Sequence, residues 1–192
     1  MRVISGTLGG RKFYPPNNLP TRPTTDFAKT GLFNILNNYF DFSTVSFLDL
    51  FSGTGSLSYE FASRGALRIV SIDQDRGAVA FIKKMKEEWN IKTIDLQKND
   101  VFKFLEYNKE QFDVIFAGPP YPLQNIDDLP GKVLGKNILK PGGWFILETD
   151  PKHKYAQFPE LMQVRNYGQT HFHIFSPSHA VGLPGNNQSN KV

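Results

Sequence analysis

Cysteine is absent from all 192 residues. The chain therefore forms no disulfide, holds no metal or iron–sulfur cluster through thiolates and offers no thiol nucleophile. Covalent thiol chemistry on a base or an acyl group is excluded. Long apolar runs are missing too, and none approaches the ~18 residues of a membrane-spanning helix. The opening Met1-Arg2-Val3-Ile4-Ser5-Gly6 carries no apolar signal core, so a secretory leader is not expected and the cytoplasm is the default location. Excess charge is missing from most of the chain. Residues 1–30 hold Arg2, Arg11, Lys12, Arg22 and Lys29 against Asp26 alone, and the remainder has 17 basic and 17 acidic residues, so the net charge of +4 resides in the first thirty. A basic segment on a neutral body suits a polyanion partner; a solvated basic face is the plainer alternative.

What is present is an ordinary globular composition, 40% hydrophobic and 21% charged, in a length that fits one domain with a sizeable core. Residues 2–5 and 11–14, joined by a segment with three glycines, predict an N-terminal hairpin. Pro15, Pro16, Pro20 and Pro23 keep 15–23 extended. A helix follows, capped by Thr24 or Thr25, with Phe27, Gly31, Leu32, Ile35, Leu36 and Tyr39 on its apolar face. From residue 46 strands and helices alternate. Strands are predicted at 46–51, 67–72, 91–97, 112–117 and 143–149. Helices are predicted at 56–64, 74–89, 101–107 and 127–138. Two further strands, 161–167 and 170–175, flank Gly168-Gln169 as a hairpin. This pattern predicts an α/β fold, a doubly wound and mostly parallel sheet with an antiparallel C-terminal hairpin. The tail 176–192 lacks periodicity and reads as disordered.

Chemistry gathers where strands end. Leu48-Asp49-Leu50-Phe51-Ser52-Gly53-Thr54-Gly55 runs from a strand through a glycine turn into a helix, the nucleotide-binding corner of such a sheet. It lacks the third glycine of a dinucleotide fingerprint and the lysine of a P-loop. The next strand ends about twenty residues later in Asp73, placed to accept from both ribose hydroxyls. Asp100 follows the third strand, placed either to receive an adenine amino group or to cap a helix. Gly118-Pro119-Pro120-Tyr121 follows the fourth. Two prolines leave carbonyls unpaired by a helix, and the tyrosine offers a face for stacking on a base.

These residues resemble the class I S-adenosylmethionine-dependent methyltransferases, and among them the RsmD-type enzymes that methylate the N2 amino group of a guanine in 16S ribosomal RNA. Arg22-Pro23-Thr24-Thr25-Asp26 is similar to the family's most distinctive motif, 48–55 to its cofactor loop, Asp73 to its ribose acid, and Tyr167-Gly168-Gln169-Thr170 to part of its terminal hairpin. The resemblance implies a seven-stranded Rossmann-like methyltransferase domain over 41–176, preceded by an RNA-contacting hairpin and helix over 1–40. Its implied cofactor is S-adenosylmethionine, bound by Asp49, Phe51, Ser52, Gly53, Thr54, Gly55, Asp73 and Asp100. Its implied catalytic loop is Gly118, Pro119, Pro120 and Tyr121, and its implied RNA contacts are Arg11, Lys12, Arg22, Thr24, Thr25 and Asp26. No metal is expected, and the expected partner is 16S RNA or a small-subunit particle bound by a monomer. Two features depart from the family. Phe27-Ala28-Lys29-Thr30 stands where Arg-Val-Arg-Glu is usual, and Gly118 stands where the family carries a side-chain acceptor. Gly118 leaves open a slower enzyme, a substitute acceptor such as Asp26, or an RNA-binding module that keeps its cofactor. Methylation of another amino group, in DNA or protein, is the rival enzymatic reading.

Overall fold

A computed structural model of the chain describes residues 1–19, 24–120 and 123–177. Seven strands form one sheet: β1 Ser46–Leu50, β2 Arg68–Asp73, β3 Ile94–Lys98, β4 Phe112–Ala117, β5 Leu139–Thr149, β6 Leu161–Tyr167 and β7 Thr170–Phe175. Their spatial order is β3-β2-β1-β4-β5-β7-β6. The first five in that order run parallel, and β7 is antiparallel to both β5 and β6. The chain steps outward from β1 to β2 and β3, then returns to the other side of β1 for β4 and β5. This is a doubly wound α/β sheet with a switch point between β1 and β4.

The strand sequences explain the layers. Every residue of β1 is buried, as a central parallel strand covered on both faces demands. Alternate side chains point to opposite cores. Phe47 and Ile69 join one cluster with Leu32, Phe33, Ile82 and Phe116, while Leu48 and Val70 join a second with Phe104, Val133 and Tyr155. The first core is covered by helices α1 Asp26–Leu36, α2 Ser56–Ser63 and α3 Arg76–Glu88, and the second by α4 Val101–Tyr107 and α5 Leu129–Leu134.

The N-terminal arm packs into the first core through Val3 and Phe13. It turns back on itself as expected, with Val3 N donating to Arg11 O at 3.0 Å and Gly10 N to Val3 O at 2.9 Å. Its ladder amounts to a single bridge, Arg2 to Lys12, rather than two regular strands. The arm's amides are satisfied elsewhere: the buried Glu60 carboxylate accepts Ile4 N at 2.6 Å and Ser5 N at 3.0 Å. At Gly6, with φ +79°, a Cβ would lie 2.0 Å from Ser63 O, so glycine is required for this close approach.

Two sequence expectations are corrected. The buried face of α1 is Ala28, Lys29, Leu32, Phe33 and Leu36, and Phe27 and Tyr39 are 71% and 65% exposed. The face is turned by about one residue because Lys29, buried and hydrogen-bonded, takes a core position that polarity assigned to solvent. The helix expected over 127–138 shortens to a 3-10 turn, Ile126–Asp128, and α5, which Gly135 follows as its C-cap. Residues 178–192 of the tail lie outside the described residues. Among the described residues no helix is long and apolar enough to cross a membrane.

Candidate active site

The carboxyl ends of β2, β1, β4 and β5 lie side by side and enclose a cleft of about 280 Å³. The first wall is the loop after β1. Three of its five residues from 51 to 55 have positive φ: Phe51 at 62°, Gly53 at 54° and Gly55 at 77°. A left-handed Phe costs roughly 1–2 kcal/mol, and such strain persists where surroundings over-determine the turn. Here Ser52 N donates to Ile72 O at 2.9 Å, Ser52 Oγ donates to Asp49 O at 2.9 Å, and Gly55 N donates to Ser52 O at 2.7 Å. A Cβ on Gly55 would come 2.6 Å from Tyr59 Cζ. Ser52, Gly53 and Thr54 line the cleft with Phe51, and Gly55 closes the turn behind them.

Two acids belong to this wall. Asp49 is buried near the end of β1 and accepts from Ser58 Oγ at 2.5 Å. Burial pushes its carboxyl up to about 7; the Ser58 bond opposes the rise and nearby Asp73 adds to it. Asp73 ends β2, and its two oxygens accept Gly53 N at 2.7 Å and Asp75 N at 2.8 Å. Burial raises this carboxyl too, against the pull of those amides. Gln74 and Asp75 continue the lining, and Asp75 caps α3 through Ala78 N at 2.8 Å. Asp100 is outside the lining; it caps α4, accepting Lys103 N at 2.9 Å.

The opposite wall comes from β4, β5 and the segment before α1. Gly118 and Pro120 line the cleft beside Phe116, with Pro119 buried behind them. Thr24 is buried and donates from Oγ1 to Glu148 Oε2 at 2.6 Å. Thr25 caps α1 through Ala28 N at 3.1 Å. Asp26, half-buried outside the lining, pairs with Arg2 Nε at 3.2 Å. Lys29 Nζ donates to Arg2 O at 2.5 Å and to Ser56 Oγ at 3.0 Å, tying the N-terminal arm to the cleft-lining Ser56. Arg11 and Lys12 are exposed, the Arg11 guanidinium lying 5.9 Å over the Trp89 ring. Arg22 and Tyr121 lie outside the described residues. No cluster of His, Asp and Glu able to hold a metal occurs among the described residues.

The sequence reading missed Glu148, Phe116, Gln74 and Ser56. Glu148 had a readable signal, an acid interrupting the apolar run Trp144-Phe145-Ile146-Leu147 at the end of a strand. Phe116 had none, since an apolar residue in a buried strand looks like core.

Known proteins resemble this chain in sequence and in fold. The chain is 33% identical over 171 residues to YlbH of Bacillus subtilis, covering 84% of this chain and 88% of that one. It is 29% identical to ribosomal RNA small subunit methyltransferase D of Haemophilus influenzae, covering 91% and 93%. The solved structure of a hypothetical protein from Thermus thermophilus superimposes with a TM-score of 0.82 at 25% identity, covering 91% and 98%. The family model described as conserved hypothetical protein 95 matches residues 1–176. The chain belongs to that family, in line with the RsmD-type resemblance of its motifs.

Proposed function

We propose that this protein is an enzyme that transfers a methyl group from S-adenosylmethionine to the exocyclic N2 amino group of a guanine in 16S ribosomal RNA. The observation that carries the reading is one cleft that joins the strained 51–55 loop and Asp73 to the 118–120 turn across the switch point of the sheet.

The cofactor fits the residues present. Each oxygen of Asp73 accepts one backbone amide. A carboxylate has about four acceptor sites, so both ribose hydroxyls find an acceptor there. The amides and glycines of 52–55 admit the close approach of a polar ligand backbone. Asp49, a desolvated acid facing the cleft, suits a cationic group, and both the ammonium and the sulfonium of this cofactor are cations. When bound, the cofactor supplies an electrophilic methyl on a positively charged sulfur.

The protein's part is positioning and electrostatics. A guanine amino nitrogen is a weak nucleophile because its lone pair is spread into the ring. Acceptors aimed at its N–H bonds let it pyramidalise toward the methyl. The Pro119 carbonyl is one such acceptor, and Tyr121 holds the extruded base by its face. Arg11, Lys12 and Arg22, in an RNA-contacting unit of residues 1–40, hold phosphates, and 41–176 form the methyltransferase unit. The working form is a cytoplasmic monomer acting on small-subunit RNA or its assembly particle.

Incubation with labelled S-adenosylmethionine and unmodified 16S RNA, duplex DNA or ribosomal protein tests this reading. Label is expected in the RNA. Label confined to DNA or protein would replace the substrate, and no transfer to any of them would leave a binding module.

A further inference from the structure

The acceptor side of the cleft has a carboxylate of its own. A Cβ built on Gly118 would stand 3.0 Å from Phe116 Cε1, 3.6 Å from Phe116 Cζ and 3.7 Å from Glu148 Oε2. The Glu148 carboxylate thus lies next to the space that a side chain at 118 would enter. Glu148 is the penultimate residue of β5 and is 6% exposed, and its Oε2 accepts Thr24 Oγ1 at 2.6 Å. A buried carboxylate is costly unless its surroundings hold it, and here the hydroxyl of Thr24 aims it.

Its place across the sheet separates it from the other acids. Among the described residues the carboxylates lining the cleft are Asp49, Asp73, Asp75 and Glu148. The first three come from β1 and the end of β2. Glu148 comes from β5, three positions from β2 in the order β2-β1-β4-β5, roughly 14 Å away at the ~4.8 Å spacing of neighbouring strands. A ligand whose ribose is held at Asp73 therefore directs its far end toward β4 and β5, where Gly118 and Glu148 face the same space. Asp26 is not placed for this task, since it lies outside the lining and pairs with Arg2.

We propose that Glu148, aimed by Thr24, is the hydrogen-bond acceptor for the amino group that receives the methyl, filling the space that Gly118 leaves without a side chain. The proposal rests on the methyl-transfer reading and adds a catalytic residue to it. The carboxylate accepts one N–H of the amino group and draws the nitrogen toward a pyramidal, electron-rich form. The nitrogen lone pair then forms the N–C bond to the methyl carbon as the C–S bond breaks and its electron pair returns to sulfur, neutralising the sulfonium. The nitrogen, now positively charged, loses one proton to Glu148 and through it to water. A secondary amine, a thioether and one proton result, so charge and atoms balance.

Single-turnover methyl transfer to 16S RNA at saturating RNA, with S-adenosylhomocysteine affinity from calorimetry as the check on folding, tests the proposal. Glu148→Gln, which keeps an acceptor oxygen but loses the negative charge and the site that takes the proton, is expected to slow transfer about 10²–10³-fold, within the usual range for losing a positioned proton acceptor, with cofactor affinity and half-saturating RNA each within about threefold of wild type. Gly118→Asp, which sets a second carboxylate against Glu148, is expected to slow transfer as well. The double variant Gly118→Asp/Glu148→Gln is expected to regain at least tenfold over Glu148→Gln alone. Transfer by Glu148→Gln within threefold of wild type overturns the proposal and leaves the methyltransferase reading intact. A faster Gly118→Asp enzyme overturns it too, because the space would then have lacked an acceptor. A wild-type protein that transfers no methyl overturns the underlying reading, and this proposal with it.

Discussion

The Asp73 carboxylate accepts the amide of Gly53 at 2.7 Å, so the acid at the end of β2 holds the turn that follows β1. Its other oxygen accepts Asp75 N at 2.8 Å. One side chain therefore shapes the loop and, in the proposed function, also presents acceptors to the cofactor ribose.

Asp73→Asn should weaken cofactor binding by about as much as the loss of one ribose contact. Hydrogen bonds to a charged acceptor contribute about 1.5–3 kcal/mol each, so a loss of ~10–100-fold in S-adenosylhomocysteine affinity is expected by calorimetry. An affinity equal to wild type would remove Asp73 from the ribose site.

Asp49 makes ligand-free stability depend on pH. Its folded value of about 7 lies above the ordinary 3.8. Between these values the folded protein holds a proton that the unfolded chain has lost, so stability falls as pH rises from about 4 through 7. Asp73, raised in the same direction, adds to the trend. Asp49→Asn should flatten it, and the melting temperature should drop between pH 5 and pH 8 by at least about 3 °C less in the variant than in wild type. Equal drops would mean that Asp49 does not carry the effect.

Gly31 is set against β6. A Cβ there would stand 2.2 Å from the Tyr167 ring, while Phe27, one turn earlier, meets the same ring edge-on at 5.5 Å. Gly31→Ala should therefore destabilise the protein by roughly 1–3 kcal/mol despite the better helix propensity of alanine. Denaturant melts read this directly, and a neutral or stabilising result would show that α1 shifts freely on the sheet.

Much of the fold was legible because its signals are local. Val101–Tyr107, Phe112–Ala117, Leu161–Tyr167 and Thr170–Phe175 have the expected bounds, each being a periodic or apolar run between clear breakers. The α1 face was misread because Lys29 spends its charge inside, on Arg2 O and Ser56 Oγ, and no pattern of polarity reveals a buried lysine. The glycine loop and Asp73 announced themselves by spacing from strand ends. Glu148 shows in sequence only as an acid at the end of an apolar run, and its meaning depends on β5 lying beside β4, a neighbour relation about 30 residues away in sequence. The link from Thr24 to Glu148 spans 124 residues and could be read from the fold alone.

The basic arm should govern RNA affinity. Replacing Arg11, Lys12 and Arg22 together by alanine should weaken RNA binding and reduce the slope of log affinity against log salt by up to about 2, at ~0.7 per phosphate contact with single strands. Cofactor affinity should stay unchanged. A slope equal to wild type would assign these residues to folding or solubility.

One atom of one base decides the chemistry. Unmodified 16S RNA treated with the protein and S-adenosylmethionine, digested to nucleosides and analysed by mass spectrometry against standards, identifies the methylated position. The predicted product is N2-methylguanosine, absent from the untreated RNA and formed at least ~10²-fold more slowly by Glu148→Gln. Methyl on a ring nitrogen, a ribose or any base other than guanine would contradict the account.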